Sequence, residues 1–127
     1  MFDELFPILS TPDMARALGF YRDLLGGQVT YQFPPDGDPG YVAVKIGTSH
    51  LGIGLQDQSG VAVNDRITLW VYAQDCDAAL VRLRDGGVQV VQEPADQPWG
   101  ERMATVVDPD GNRVIVASQA AGSGPAL

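Results

Sequence analysis

Cysteine and histidine are nearly absent from this sequence of 127 residues, which has only Cys76 and His50. A single cysteine permits no internal disulfide, and this fits a reducing compartment. No apolar run approaches the roughly 18 residues that a membrane-spanning helix needs, and the acidic start at Asp3 and Glu4 does not fit a signal peptide. The sequence therefore predicts a soluble, cytoplasmic protein without membrane contact.

Basic residues are also scarce: eight Lys and Arg stand against sixteen Asp and Glu, so the formal net charge is −8. Nucleic acid is not an expected partner, because contacts to phosphate need clustered basic side chains. The acidic charge favours solubility, and it also favours cationic ligands. Lys45 is the only lysine, whereas Arg, Ala and Gly are more frequent. This composition is typical of a protein from a GC-rich bacterium.

The chain resembles itself at an offset of 60 residues, and a repeat of this length indicates two similar modules. Eight residues are identical over 32 aligned positions: Leu9, Arg22, Gly26, Gly27, Gln32, Pro34, Asp36 and Gly40 recur as Leu69, Arg82, Gly86, Gly87, Gln92, Pro94, Asp96 and Gly100. Each half predicts a strand, an amphipathic helix and three further strands. The predicted strands include 4–11 and 28–33, the second helix is predicted over 75–87, and 94–100 is predicted as a loop. The predicted fold class is α+β, with two βαβββ modules in tandem. The predicted limits are 1–59 for the first module, 60–65 for a linker, 66–119 for the second module and 120–127 for a flexible tail.

The helix and turn signals set several of these limits. The first helix is predicted to begin near Asp13 and to end at Gly26-Gly27, with an apolar stripe that includes Leu18, Tyr21, Leu24 and Leu25. The second stripe is predicted to contain Leu80, Val81 and Leu83. The segment VVDPDGNRVIV, 106–116, predicts a hairpin, because Pro109 presets one turn dihedral and Gly111 can adopt a positive φ.

This order of elements resembles the vicinal oxygen chelate superfamily, which includes glyoxalase I, extradiol dioxygenases, fosfomycin-inactivating enzymes and bleomycin-resistance proteins. The resemblance covers residues 3–118, and its motifs are FYRDLLGG (20–27), DCDAALVRLRDGG (75–87) and PWGERMATVVDPDGN (98–112). It implies open, curved mixed sheets with the helices on the outer face, a ligand on the concave face, and a homodimer.

Enzymes of that superfamily hold a divalent metal at four positions, one on the first and one on the last strand of each module. The corresponding residues in this sequence are Phe6, Gly54, Thr68 and Ile115, and the adjacent registers are aliphatic. A divalent cation needs lone pairs from imidazole or carboxylate groups, which these side chains do not supply. The resemblance therefore implies no metal and no other cofactor here, with Ile115 lining a pocket where a ligating carboxylate would stand.

Strand alternation extends this inner face of each sheet. The residues predicted to face inward are Phe6, Ile8, His50, Gly52, Gly54, Gln56, Arg66, Thr68, Trp70, Tyr72, Arg113 and Ile115, and those predicted to face the helices are Leu51, Ile53, Leu55, Ile67, Leu69 and Val71. Gly52 and Gly54 would leave space for a ligand. A slip of one residue in register would exchange the two faces.

Aromatic walls with a few polar groups suit a planar organic ligand. The candidate ligand-binding residues are Phe6, His50, Gln56, Thr68, Trp70, Tyr72, Trp99, Arg102 and Ile115. Rings would provide stacking, with Trp99 as a lid, whereas His50, Gln56 and Arg102 would orient the ligand. Trp70, Tyr72 and Trp99 are equally compatible with ordinary packing, and a solvent-facing role is the leading alternative for His50.

Two functions remain open. The favoured one is a metal-independent binding protein that sequesters a planar aromatic antibiotic or metabolite, with no catalytic residues, and the acidic charge favours a cationic guest. The alternative is a lyase, isomerase or dioxygenase of the same superfamily, with a displaced metal site or with acid–base residues only. Glu101, Asp57 and Glu93 are the nearest carboxylates, and none stands out in the sequence as a base. The sequence does not separate a role in resistance from one in biosynthesis.

Overall fold

The computed structural model describes residues 4–56 and 67–121. The chain divides into two compact units, Met1–Ala62 and Val63–Leu127. The described parts of these units are called module 1 (4–56) and module 2 (67–121). The predicted linker, 60–65, lies outside the described residues, as do Arg66, Asp57 and positions 122–127 of the predicted tail.

Module 1 contains strand β1 (Ile8–Thr11), helix α1 (Met14–Leu18), and strands β2 (Gln28–Phe33), β3 (Tyr41–Ile46) and β4 (Ser49–Leu55). Helix α1 continues as a π-helical segment, Gly19–Leu24. The four strands form one sheet in the order β1-β4-β3-β2. Strand β1 is parallel to β4, and the other neighbours are antiparallel.

Module 2 repeats this plan with strand β5 (Leu69–Tyr72), helix α2 (Cys76–Asp85), and strands β6 (Gln89–Asp96), β7 (Glu101–Val107) and β8 (Arg113–Gln119). Its sheet order is β5-β8-β7-β6, again with one parallel pair, β5 and β8. The prediction of an α+β fold with two βαβββ modules and open mixed sheets is confirmed.

The two helices begin in the same way. The Asp13 side chain accepts a hydrogen bond from the backbone N–H of Arg16, and that of Asp75 accepts one from Ala78, each at 3.1 Å. Such a cap stabilises a helix by about 1 kcal/mol, because it satisfies a backbone donor that has no partner within the helix. The predicted start of the first helix near Asp13 is confirmed.

Each sheet has one face packed against its helix, and we call it the helix face. In module 1 it buries Val42, Val44, Leu51 and Ile53 with Phe20, and in module 2 it buries Ala104, Val106, Val114 and Val116 with Leu80 and Leu83. Phe20 and Tyr21 are both buried, with ring centroids 4.8 Å apart in a T-shaped arrangement. These consecutive rings lie in the π-helical segment. The sequence predicts a single amphipathic α-helix here, and the structure differs from it in the wider turns of this segment.

Several predicted details are wrong. Val81 is 60% exposed, because the residue next to the buried Leu80 projects away from the sheet. Leu55 shares the face of Ile53, as predicted, but it is exposed at the end of β4, and Ile67, predicted to lie under a helix, precedes β5 and is exposed. Strand β1 begins at Ile8 and is therefore shorter than the predicted strand, 4–11. Residues 94–96, predicted as part of a loop, belong to β6.

The hairpin between β7 and β8 is confirmed. Asp108 organises its turn: Oδ1 accepts hydrogen bonds from the backbone N–H of Asp110 (2.9 Å) and Asn112 (2.8 Å), and Oδ2 accepts one from Asn112 Nδ2 (2.8 Å). Gly111 has the predicted positive φ, 87°. Within 4–56 and 67–121, no helix is both long enough and apolar enough to cross a membrane.

Candidate functional site

The face of each sheet opposite its helix is called the open face. In module 1, strand pairing forms two rows across it: Ile8–Gly52–Ala43–Tyr31 and Ser10–Gly54–Tyr41–Phe33. Directly paired residues project to the same face, so each row is a line of neighbouring side chains. The rings of Tyr31 and Tyr41 have centroids 6.2 Å apart. Module 1 therefore presents aromatic side chains mainly from β2 and β3.

The space at Gly52 is not free. A Cβ at this position would lie 2.5 Å from the Tyr41 hydroxyl oxygen and 3.0 Å from Cγ1 of Ile8. The prediction that both glycines leave room for a ligand is therefore wrong for Gly52, because the Tyr41 side chain lies across it. At Gly54 a Cβ would meet only the backbone oxygen of Leu9, at 4.0 Å.

The open face of module 2 has the corresponding rows Trp70–Ile115–Thr105–Gln92 and Tyr72–Ala117–Met103–Ala95. The Trp70 and Tyr72 rings, next to each other on β5, have centroids 6.0 Å apart. The Thr105 hydroxyl donates a hydrogen bond to Gln92 Oε1 at 3.2 Å. The structure thus brings three predicted site residues, Trp70, Tyr72 and Ile115, together on one face.

A third row of module 2 pairs Gln119 with Glu101, the first residue of β7. Glu101 is 2% exposed, and its Oε1 accepts a hydrogen bond from Trp99 Nε1 at 2.7 Å. Its other oxygen, Oε2, is buried and has no hydrogen-bond partner among the described residues. This bond places the indole N–H of Trp99 at the carboxylate of Glu101, whose strand position is on the open face.

The Tyr72 hydroxyl lies beside this carboxylate. A hydrogen-bonding interaction with Glu101 raises the pKa of Tyr72, and desolvation and the negative charge of Glu101 act in the same direction. No hydrogen bond of good geometry reaches Oε2, however, so the interaction leaves that oxygen unsatisfied. A raised pKa keeps the phenol protonated at neutral pH, and Tyr72 therefore stays a donor.

A buried acceptor without a partner is unusual in a folded protein, and it costs about 1–3 kcal/mol relative to the same group in water. In module 2 this cost falls on Oε2 of Glu101, whose carboxylate also interacts with Trp99, through Oε1, and with Tyr72. Such an oxygen can accept a hydrogen bond from a ligand. Glu101, which nothing in the sequence distinguishes from Glu93, is thus the polar centre of this face.

Arg102 lies on the helix face, because adjacent residues of a strand project to opposite sides. Its guanidinium donates to both carboxylate oxygens of Asp77 on α2, from Nε (2.6 Å) and Nη2 (3.1 Å), and from Nη1 to Asp96 (3.2 Å). These hydrogen bonds raise the pKa of Arg102 and lower that of Asp77. The structure therefore separates Arg102 from the rings of Trp70, Tyr72 and Trp99.

The remaining predicted site residues lie at the ends of strands. Phe6 precedes β1 and Thr68 precedes β5, so strand pairing fixes the face of neither, and Gln56 follows β4. His50 is exposed and pairs with Lys45 near the β3–β4 turn. It lies on the open face of module 1, two positions from Gly52.

Cys76 is buried in the core of module 2. Its thiol donates to the backbone oxygen of Val116 at 3.4 Å, and its backbone N–H donates to Ser118 Oγ at 2.9 Å. Burial raises the pKa of the Cys76 thiol, and this disfavours the reactive thiolate. Cys76 packs the helix against the sheet.

The residues at the superfamily's metal positions do not fit a divalent cation. Module 1 offers a phenyl ring at Phe6 and no side chain at Gly54, and module 2 offers a neutral hydroxyl at Thr68 and an aliphatic group at Ile115. Within the described residues, no three His, Cys, Asp or Glu side chains are gathered as a metal site would require. A divalent cation at these positions would lack the imidazole and carboxylate ligands that it needs.

Known structures share this fold. TioX from Micromonospora sp. ML1 has 20% identity and a TM-score of 0.74 over 96% of this chain and 100% of that chain. A member of the glyoxalase/bleomycin resistance protein/dioxygenase superfamily from Sphaerobacter thermophilus DSM 20745 has 23% identity and a TM-score of 0.73 over 93% and 98%. An enzyme of that family from Burkholderia phytofirmans PsJN has 15% identity and a TM-score of 0.75 over 90% and 96%.

At these identities the likeness shows a shared fold alone. No curated protein matches the sequence. The family itself is clear from the sequence, since the match extends from before β1 into β8. The model of the Glyoxalase/Bleomycin resistance protein/Dioxygenase superfamily matches residues 5–116, and the chain belongs to that superfamily.

Proposed function

We propose that the protein is a metal-independent binding protein that sequesters a planar aromatic compound, an antibiotic or a metabolite, on the open face of its sheets. The observation that carries the proposal is the set of exposed rings on these faces. Tyr31, Phe33, Trp70, Tyr72 and Trp99 are between 42% and 60% exposed. Aromatic side chains are usually buried, and an exposed group of them beside a few polar atoms is typical of a binding surface.

Two further observations support binding without a metal. The superfamily positions that would hold a cation carry Phe6, Gly54, Thr68 and Ile115, which are poor ligands. The superfamily is named in part for bleomycin-resistance proteins. The proposal includes a homodimer in the cytoplasm of a bacterium. It leaves Arg102 out of the binding surface, because two carboxylates already hold its guanidinium on the helix face.

The test uses 9-(hydroxymethyl)anthracene, a neutral planar probe, titrated in the presence of EDTA. Both tryptophans, Trp70 and Trp99, belong to module 2, so their fluorescence reports on that module. We expect saturable quenching that EDTA does not change. The single-tryptophan variants Trp70→Phe and Trp99→Phe show which indole the probe approaches. Absence of saturable binding, or binding that EDTA abolishes, would overturn the proposal.

One observation favours the alternative of an acid–base enzyme. Glu101 has a buried oxygen without a hydrogen-bond partner among the described residues, and the protonated phenol of Tyr72 lies beside its carboxylate. A carboxylate and a phenol in this arrangement could act as an acid–base pair. Metal analysis of the purified protein separates the metal-dependent form of this alternative from the binding protein. Stoichiometric nickel, zinc or iron would favour a metalloenzyme. A bound aromatic compound recovered unchanged from the protein would favour sequestration.

A further inference from the structure

We propose that Glu101 recognises a positively charged N–H group, such as a protonated amine, on the aromatic ligand. This inference rests on the proposed function and names the chemistry that the site selects. A carboxylate at 2% exposure is shielded from bulk water, and only one of its oxygens accepts a hydrogen bond, from Trp99 Nε1. Oε2 has no hydrogen-bond partner among the described residues, so one strong acceptor is left for a ligand.

The missing partner is best supplied by a cation. None of the ion pairs formed by the described residues includes Glu101. The nearest basic residue in sequence, Arg102, projects to the other face and is held by Asp77 and Asp96. A charged donor forms a stronger hydrogen bond to a carboxylate than a neutral donor does, and the low dielectric of a buried site increases the difference.

The rings around Glu101 suit an organic cation. The Trp99 indole is bonded to the carboxylate, the Tyr72 hydroxyl interacts with it, and the Trp70 ring lies 6.0 Å from that of Tyr72. Aromatic faces attract cations through the ring quadrupole, and Trp does so most strongly. A ligand that carries an ammonium group on a flat ring system would place the ring on these side chains and the charge at Oε2.

The experiment compares two probes that share one ring system. 9-(Aminomethyl)anthracene is protonated at neutral pH, whereas 9-(hydroxymethyl)anthracene is neutral. Their dissociation constants are measured by anthracene fluorescence anisotropy. We expect the wild-type protein to bind the ammonium probe at least about tenfold more tightly, as a charge-assisted hydrogen bond predicts. In Glu101→Gln the two probes should bind about equally, because the amide carries no charge that favours the ammonium group.

Glu93→Gln is the matched control. It changes the net charge by the same amount, but Glu93 is exposed on β6, where it pairs with Arg84. If the general acidity of the protein caused the preference, both variants would reduce it equally, and that result would overturn the assignment to Glu101. Urea unfolding shows whether Glu101→Gln is folded. If it is not, equal affinities of the wild-type protein for the two probes still overturn the inference, and so does loss of the preference in Glu93→Gln.

The outcomes separate this inference from the proposed function. Equal binding of both probes by the wild-type protein refutes the role of Glu101 and leaves the aromatic binding site supported. Failure of both probes to bind overturns the proposed function, and the inference with it. Preference for the ammonium probe that disappears only in Glu101→Gln supports both.

Discussion

The two modules have the same strand order and differ on their open faces. The row Ile8–Gly52–Ala43–Tyr31 of module 1 corresponds to Trp70–Ile115–Thr105–Gln92 of module 2. In module 1 the large ring stands on β2, at one edge of the sheet, and in module 2 it stands on β5, at the opposite edge. The helix faces are alike, because each packs apolar side chains against a helix. The open faces have diverged, since no helix constrains them.

The polar content of the open faces differs as well. In module 1 the Tyr41 side chain covers Gly52, and the space at that position is filled. In module 2 the position that corresponds to Gly52 is Ile115, and two rows further along the same face lies Glu101, a buried carboxylate with an unsatisfied oxygen. A repeat thus supplies one scaffold twice and lets each copy carry a different surface. Module 2 is the copy in which we place recognition of a charged ligand.

The first prediction tests whether the helix faces are as similar as the packing indicates. Phe20→Ala in module 1 and Leu80→Ala in module 2 each remove a side chain that is 2% exposed. We expect them to lower the free energy of unfolding by about 3–5 and about 2–5 kcal/mol, through lost burial and the cavity left behind. Urea unfolding followed by circular dichroism measures both.

Val81→Ala is the control for these core variants. Val81 follows Leu80 on α2 and is 60% exposed, so its truncation should change the unfolding free energy by no more than about 0.5 kcal/mol. A loss below about 1 kcal/mol in either core variant would contradict the packing described for that module.

The second prediction concerns the hairpin turns, where the modules differ. Module 1 joins β3 to β4 through two residues, Gly47 and Thr48, and Gly47 has a φ of 59°. Module 2 uses the longer turn organised by Asp108, which is 4% exposed. Asp108→Ala removes three accepted hydrogen bonds and should cost about 1–3 kcal/mol. Gly47→Ala forces a left-handed conformation and should cost about 1 kcal/mol.

Thr48→Ala serves as the control for the turns, because Thr48 is exposed and should be nearly neutral. Both costs are measured by urea unfolding under the same conditions. A larger loss in Gly47→Ala than in Asp108→Ala would show that the backbone of the short turn, and not the side-chain network of the long one, is the more demanding of the two.

Much of the fold follows from local signals in the sequence. Strand β2, Gln28–Phe33, has its predicted limits, and α2, Cys76–Asp85, lies within the predicted helix segment 75–87. Caps and glycine stops act on neighbouring residues, so the sequence shows them directly. The π-helical segment was not predicted, because it has no comparable local signal.

The candidate site was harder to predict, because burial of a strand residue depends on distant side chains. The carboxylate of Glu101 interacts with the side chains of Trp99 and of Tyr72, and Tyr72 lies 29 positions earlier in the chain. The face of Arg102 could have been found. Counting back along β7 from Thr105, the partner of Ile115, puts Glu101 on the open face and Arg102 on the other. The same count on β3 would have identified Tyr41.

The third and smallest effect concerns the ion pairs. In module 2, Arg102 on β7 ties Asp77 of α2 to the sheet, across 25 positions of sequence. In module 1, Arg22 pairs with the adjacent Asp23, at 2.8 Å between Nε and Oδ1. In both cases hydrogen bonds from the arginine lower the pKa of the aspartate from 3.8.

A carboxyl group with a lowered pKa in the folded state stabilises the fold above its ordinary pKa, and this contribution is lost as the pH falls through the folded-state value. The size of this stabilisation depends on how far the pKa of the carboxyl group differs between the folded and the unfolded state. Arg22 and Asp23 stay neighbours in the unfolded chain, whereas Arg102 and Asp77 separate. We therefore expect Arg102→Met to weaken the decline of Tm between about pH 5 and pH 3, and Arg22→Met to change it less. Scanning fluorimetry across this range measures both, and equal responses would show that the long-range pair contributes no more than the local one.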